Sequence, residues 1–579
     1  MHPAIVVASG LGLLLLLAWA SLFNGIDILY PIDKTEALQL ELARQMSATG
    51  DWVTPSIDNH IYFDKPPLPY WIGSFFLTLG AGDNIQTWYP RIGAAFAGAI
   101  GTISTFLLCL HGNNDQYVRR LSRAGCAAAI LLLMPFYSGF SRVALHDIYL
   151  TASITLALTI LFLHSQLSSK ETWKSILHGT LFGCTLGMGV LAKGLLAPVI
   201  VISVTAVFLF ASQRTKACFS DFNFIAFAIL SFVLIASPWH LAAWQAHGTS
   251  FLETYLGRTQ LTRFTSELDN HSGPWFFYLL IYPAITAPWI LPAAHSLIQN
   301  SILNIRLLRQ KLQSNTLQTF CAIWILVVIF LLSLASTKLP HYILPSLPPT
   351  AIAASYFFFP LRPDSSQSKQ FSKFLLVGTG AIILIASFIL ILFPSALLPI
   401  SRNSPDFSLA LRSYLTSAPV VASALILGVT GCFLGIKVNR HAELLLGIFW
   451  GLSICSIFLF VSPRILRIYY VYHQLPRLQL ADQALLQANS TTEPIQVVGK
   501  SWYSVKIRTS GRAEILQKGK AFTAGDSTAT PDCGSSRLVL GPTADVQAES
   551  QRCPASSLTL LSQQQSGRLS LARLARKAQ

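Results

Sequence analysis

The chain has 579 residues, 52% of them hydrophobic and 11% charged, with a mean hydropathy of +0.52. That composition excludes an ordinary soluble enzyme and marks a polytopic membrane protein. The net charge of +16 does not imply a nucleic-acid partner, because many of the basic residues sit in short loops between apolar segments.

A bilayer core needs roughly 17 to 25 apolar residues per helix, and about thirteen segments meet that need. They lie near 4–23, 92–111, 124–140, 148–164, 177–191, 194–212, 222–239, 274–292, 319–336, 342–360, 374–396, 418–436 and 444–461, and none contains Asp, Glu, Lys or Arg. The first lacks a basic flank and is expected to be a retained anchor rather than a cleaved signal. With the N-terminus inside, the inner loops collect Arg119, Arg120, Arg123, Lys170, Lys174, Arg214, Lys216, Arg306, Arg309 and Lys311. This is the positive-inside bias, and it turns the loops 24–91 and 240–273 and the polar C-terminal part outward. Residues 1–465 then form a transmembrane domain and 466–579 an external one.

The first external loop carries Asp33 and Glu36, a helical stretch from Leu40 to Met46, the run Gly50-Asp51-Trp52-Val53-Thr54-Pro55, and Asp64-Lys65-Pro66-Pro67-Leu68-Pro69-Tyr70-Trp71. Two prolines after Lys65 favour extended backbone and present an ammonium on a stiff turn. A compact cation suits phosphate, while a bland reading has Lys65 snorkelling beside an aromatic belt. Asp147 opens the fourth span after Ser141-Arg142, either as a reactive carboxylate or as a helix cap. Lys193 interrupts two spans, and Gly187-Met188-Gly189 lies where small residues allow close helix packing. The loop 240–273 brings Arg258, Arg263-Phe264 and His271, and Ser336-Thr337-Lys338-Leu339-Pro340-His341-Tyr342-Ile343-Leu344-Pro345 joins two late spans. A Lys beside an apolar span suggests a partner.

Beyond 465 the chain turns polar. Strand-like runs at 495–498, 503–508 and 538–540 and a helical pattern near 481–488 read as a small α/β domain. Cys533 and Cys553 lie there, where an oxidising compartment would pair them, the alternative being two unpaired thiols. The final stretch around Arg568, Arg573 and Arg576 reads as a frayed end or a membrane-surface segment. No glycine loop for a nucleotide is present, so no nucleotide cofactor is expected.

The order of these motifs from Asp33 to Pro345 resembles the bacterial lipid-dependent glycosyltransferases related to the aminoarabinose transferase of lipid A and, more distantly, the protein O-mannosyltransferases. The family pattern has adjacent Asp-Glu before the helical stretch, where this chain reads Asp33-Lys34-Thr35-Glu36. An ungapped match sets Thr35 and Glu36 there, and a two-residue shift sets Asp33 and Lys34. The resemblance implies a GT-C type all-α membrane fold and transfer of a sugar, such as 4-amino-4-deoxy-L-arabinose or another pentose or hexose, from a polyprenyl-phosphate donor. The acceptor would be lipid A or another envelope glycan or protein, at the outer face of a bacterial inner membrane. Asp33, Glu36 and Asp147 would be catalytic, and Lys65, Lys193, Arg258, Arg263, Lys338 and Tyr342 would bind substrate. Asp64 would hold Lys65 in place or share a divalent metal with His271. A transporter or flippase is the rival reading, but its signature is an ionisable residue at mid-bilayer, whereas the charges here cluster at span ends.

Overall fold

The computed structural model describes residues 3–27, 36–57, 60–79, 88–112, 116–167, 171–212, 221–262, 273–298, 316–360, 366–392, 405–437, 446, 449–451, 453, 475–487, 495–498, 513–516, 537–542, 546–547, 556–564 and 569–576. The first apolar segment forms α1 (Pro3–Ala18) and continues as a wider turn over Trp19–Phe23. The loop after it holds α2 (Glu36–Thr49), a small antiparallel hairpin of β1 (Ser56–Ile57) and β2 (His60–Ile61), and the apolar helix α3 (Leu68–Leu79). The structure thus adds α3, which is too short to count as a span. Ser74 Oγ on α3 donates to Ala43 O on α2 at 2.7 Å, and the absence of a side chain on Gly73 lets the two helices approach.

The membrane part follows as α4 (Tyr89–His111), α5 (Tyr117–Leu133), α6 (Pro135–Phe140), α7 (His146–Ser165), α8 (Thr172–Lys193), α9 (Leu196–Ser212) and α10 (Phe222–Phe251). A π-helix over Leu252–Thr262 extends α10, and then come α11 (Phe277–Thr286), α12 (Ile290–Leu297) and α13 (Thr316–Leu334). A 3-10 turn over Pro340–Ser346 leads into α14 (Leu347–Phe358), followed by α15 (Ser366–Leu392), α16 (Pro405–Leu415) and α17 (Ala418–Lys437). Among the described residues seven helices are long and apolar enough to cross a membrane, and α11 with α12, bent by 108°, makes an eighth if the pair is one span. This is a multi-pass, mostly helical membrane protein.

Three expected segments differ in detail, each for a backbone reason. The segment 124–140 breaks at Met134, which is extended (ψ 113) because Pro135 follows it. The segment 342–360 begins as a 3-10 turn, since Pro345, Pro348 and Pro349 cannot donate to a regular α-helical ladder. The expected loop 240–273 is helical as far as Thr262, with a kink at Gly248, whose φ of +55 favours glycine. The segment 444–461 lies largely outside the described residues.

Gly179, Gly183 and Gly187 repeat every fourth residue along α8 and face α10. A Cβ at these positions would come within 2.4 Å of Phe224 O, 2.1 Å of Ala228 O and 2.9 Å of Ile235 Cβ. Small residues therefore set the close approach of α8 and α10, the packing mode favoured where lipid supplies no hydrophobic drive.

Near the C-terminus α18 (Leu475–Gln487) accompanies a five-stranded sheet of β3 (Ile495–Val498), β4 (Ala513–Leu516), β5 (Arg537–Pro542), β6 (Ser556–Gln564) and β7 (Leu569–Arg576), in the order β4-β3-β5-β7-β6. β3 runs parallel to β4 and β5, and β7 runs antiparallel to β5 and β6. Leu480, Ala481 and Ala484 of α18 pack on Ile495, Leu538, Leu540 and Leu571. The expected frayed or surface-lying tail is instead a paired strand between two others. Leu569, Ser570, Leu571 and Ala572 are all buried, as suits an interior strand. The run 503–508 and both Cys533 and Cys553 lie outside the described residues.

Candidate active site

The Gly50–Pro55 run is a clasp. Gly50 ends α2 with φ +70 and an N–H donated to Met46 O at 3.0 Å, the left-handed cap that favours glycine. Asp51 Oδ1 then accepts from the amides of Val53 at 2.9 Å and Thr54 at 3.0 Å. Burial pushes the Asp51 carboxyl up, the amide bonds pull it down, and the net shift is downward. The turned loop is pinned by two indoles and a histidine: Trp71 Nε1 donates to Trp52 O at 2.7 Å, Trp239 Nε1 to Val53 O at 2.9 Å, and Thr54 Oγ1 meets His247 Nε2 at 2.9 Å. Phe63, beside Asp64 and Lys65, packs with Leu191, Trp239, Phe251 and Tyr255. The motif loop is thereby fixed against the end of α8.

Glu36 opens α2 and is only 2% exposed. Arg91, in the first turn of α4, forks onto both of its oxygens, Nε to Oε1 at 2.6 Å and Nη2 to Oε2 at 2.7 Å. Ala144 N also donates to Oε1 at 2.9 Å, and Arg91 Nη1 holds Ile26 O. The pair thus ties α2, α4 and the turn before α7 together. Arg91 is absent from the sequence expectations, although a cation after Pro90 at the edge of an apolar span is a signal that could have found it.

Asp147 lies in the first turn of α7 and Lys193 in the last turn of α8, and the two form a buried ion pair. Antiparallel α7 and α8 put an anion at a helix N-terminus and a cation at a helix C-terminus, so both macrodipoles favour the charges. Gly194, at φ +77, ends α8 directly after Lys193 and fixes that position. Lys193 Nζ also sits over the Tyr342 ring, 4.1 Å from its centre, a cation–π contact. Asp147 Oδ2 faces His341 Nε2 at 3.8 Å. One residue earlier, the buried His146 ring packs edge-on to Tyr70 at 5.2 Å. The half-buried Lys65 lies close enough to act electrostatically on that ring.

Lys338 Nζ donates to Ser333 O at 3.2 Å and also to Ala335 O. Burial lowers its pKa from the ordinary lysine range. Tyr278 of α11 anchors the segment through Leu339, its hydroxyl meeting Leu339 O at 3.1 Å. His341 is stacked on Phe140 of α6, with ring centres 5.4 Å apart. The sequence names this residue only as part of a motif, and its contacts with two distant elements emerge in the fold.

The structure therefore brings Asp147, Lys193 and Tyr342 together, with Lys338 on the same late segment and Lys65 on the neighbouring loop. Glu36 stands apart in its own pair. Arg258 is exposed on the π-helix after α10. Asp33, Arg263 and His271 lie outside the described residues, and Asp64 is half-buried beside Lys65. Among the described residues no group of three or more His, Cys, Asp or Glu is placed to hold a metal ion.

Residues 28–281 match the family model described as dolichyl-phosphate-mannose-protein mannosyltransferase. That stretch includes Glu36, Lys65, Arg91, Asp147 and Lys193 but not the Lys338–Tyr342 segment. The chain is 28% identical over 370 residues to the undecaprenyl phosphate-alpha-4-amino-4-deoxy-L-arabinose arabinosyl transferase of Edwardsiella ictaluri, covering 62% of this chain and 61% of that protein. It is 28% identical over 328 residues to the protein of the same name from Pseudomonas aeruginosa strain LESB58, covering 55% and 54%. The matches thus span less than two thirds of these relatives' length. Crystal structures of ArnT from Cupriavidus metallidurans, bound to undecaprenyl phosphate and in the apo state, align with TM-scores of 0.77 and 0.75 at 16% identity, covering 99% of this chain and 98% of those chains. At that identity the likeness is one of fold.

Proposed function

We propose that this chain belongs to the GT-C superfamily of membrane glycosyltransferases that includes aminoarabinose transferase-like and protein O-mannosyltransferase-related enzymes, and that it transfers a sugar from a polyprenyl-phosphate donor to an envelope acceptor. The names of the curated relatives favour 4-amino-4-deoxy-L-arabinose as the sugar and undecaprenyl phosphate as the carrier, and lipid A is the acceptor proposed with them. The observation that carries the reading is the meeting of Asp147, Lys193 and Tyr342 from three separate elements, with Lys338 four residues before Tyr342 on the same segment.

In the proposed reaction the bond between the anomeric carbon and the phosphate oxygen breaks, and its electron pair stays on the phosphate. An acceptor oxygen attacks the anomeric carbon from the opposite face. Lys193, Lys338 and Lys65 stabilise the charge that gathers on the departing phosphate, the electrostatic contribution expected to weigh most in such a step. Asp147 orients Lys193, and Tyr342 supplies a face for its ammonium. Glu36 acts by position, holding the turn before α7 through Ala144 N. If the acceptor is a lipid A phosphate, its oxygen is already anionic and needs no base. If it is a hydroxyl, Asp33 takes the proton. Arg258 and Arg263 would meet anionic parts of the substrates, and a metal shared by Asp64 and His271 belongs to the same set of proposals.

The wider architecture completes the proposal: about thirteen spans over residues 1–465, an external α/β domain over 466–579, and an active site facing the periplasm from the inner membrane. Cysteines placed at 58 and 500 should label from outside intact cells, and one at 310 only after permeabilisation. Labelling of 310 in intact cells would reverse the orientation.

A protein acceptor is the second reading, favoured by the description of the matching family model. Mass spectrometry of envelope lipids and glycoproteins, with and without this protein, separates the two. A sugar lost from lipid A in the absence of the protein supports the first reading, a sugar lost from a protein supports the second, and no change in any fraction contradicts both.

A further inference from the structure

We propose that His341 is a donor-phosphate ligand, whose protonated ring adds a cation to the site that Lys193 cannot supply alone because Asp147 neutralises it. The inference rests on the glycosyltransferase reading above and names a further residue for it. The His341 side chain is 25% exposed, whereas those of Asp147 and Lys193 are 9% and 7% exposed. Of these three, His341 is the one that a ligand can reach most directly. Its ring is held on two sides, stacked on Phe140 at 5.4 Å and with Nε2 3.8 Å from Asp147 Oδ2. Such a ring is preorganised and gives up little rotational freedom on binding.

The charge balance gives the geometry its meaning. Lys193 and Asp147 sum to zero, and Lys338 is partly engaged with the carbonyls of Ser333 and Ala335. The donor is a phosphodiester with one negative charge. When the glycosidic bond breaks, the bonding pair stays on oxygen and the prenyl phosphate carries one more negative charge. A protonated His341 offers one more positive charge. Its carboxylate neighbour favours that form, in which both ring N–H groups are donors.

Asp147 from α7 faces His341 and Tyr342 packs edge-on to it, with Lys193 of α8 paired to Asp147, His146 one residue before Asp147, Lys338 three residues upstream of His341, and Tyr278 of α11 bonded to the adjoining Leu339. α6 contributes Phe140, and α13 and α14 carry no charged residue. Histidine is the side chain among these whose ordinary titration falls between pH 5 and 8. Phosphate binding through His341 must therefore strengthen as pH falls through that window.

The test is binding of undecaprenyl phosphate to the purified full chain in nanodiscs, for the wild type, His341→Gln and His341→Arg, across about pH 5.5 to 8. Dividing wild-type affinity by that of His341→Gln removes the ligand's own titration. This ratio should rise roughly tenfold from the alkaline to the acid end, as the loss of one charge-assisted hydrogen bond requires. His341→Arg, planar and permanently charged, should restore affinity at the alkaline end. A ratio that is constant with pH would make His341 a structural residue and overturn the inference, as would failure of His341→Arg to bind better than His341→Gln. A wild type that binds no undecaprenyl phosphate at any pH would instead overturn the glycosyltransferase reading, and this inference with it.

Discussion

Glu36 and Asp147 are both buried carboxylates in the first turn of a helix, each paired with a cation from another helix, yet their surroundings differ. Around Glu36 every direction is filled: Arg91 takes both oxygens, Ala144 N takes one again, and the leftover guanidinium nitrogen holds Ile26 O. Around Asp147 the filling stops on one side. Lys193 takes Oδ1, but Oδ2 faces the partly exposed His341, and Lys193 itself leans on the Tyr342 ring. In the proposed reading the saturated carboxylate is scaffold, and the one whose partners border an accessible edge acts on a ligand through them.

The sharpest way to break this comparison is to remove one cation from the saturated pair. Arg91→Ala leaves Glu36 buried without its counter-charge, which should cost about 3–5 kcal/mol and lower the yield of folded protein. Thermal unfolding in detergent checks this, and an unchanged midpoint would mean that Glu36 is solvated and available for chemistry. Asp147→Asn should lower the midpoint less, because the amide keeps the shape and can still accept from Lys193, while transfer falls by roughly 100-fold or more as Lys193 loses its counter-charge. Lys65→Ala and Lys338→Ala should each raise the apparent donor requirement roughly tenfold or more, the cost of a charge-assisted hydrogen bond of about 1.5–3 kcal/mol, and should leave the acceptor requirement nearly unchanged. Donor titrations in nanodiscs would show whether these lysines are interfacial anchors instead.

The smallest expected effect concerns the Asp51 clasp. Its folded pKa is depressed, so its contribution to stability is present above the unfolded value of about 4 and is lost as pH falls through the folded value. Quenching of tryptophan fluorescence should increase only at the acid end of a titration, and Asp51→Ala should abolish that dependence.

Much of this was legible in the sequence, because apolar length alone locates most spans and because charges at span ends are costly enough to be informative. Asp147, Lys193 and Lys338 stand out for that reason, and Tyr342 through the resemblance of its motif. The rest depends on partners distant in sequence. Nothing within ten residues of Glu36 announces Arg91, and the role of His341 depends on Phe140 and Asp147 from elements far upstream. Local chemistry explains the other differences: Pro135 divides a segment that hydropathy reads as continuous, and residues Leu569–Arg576 gain their strand character from pairing with β5 and β6. Periodicity had no access to those neighbours.

The central claim is that a polyprenyl-phosphate sugar is consumed at the Asp147–Lys193 site. Its most direct test incubates the purified chain in nanodiscs with undecaprenyl-phosphate aminoarabinose and lipid A, and follows both lipids by mass spectrometry. The account predicts lipid A heavier by one aminoarabinose and an equal amount of free undecaprenyl phosphate from the wild type, with neither from folded Asp147→Asn. A donor left intact by the wild type, with lipid A or with a total envelope extract as acceptor, would contradict it.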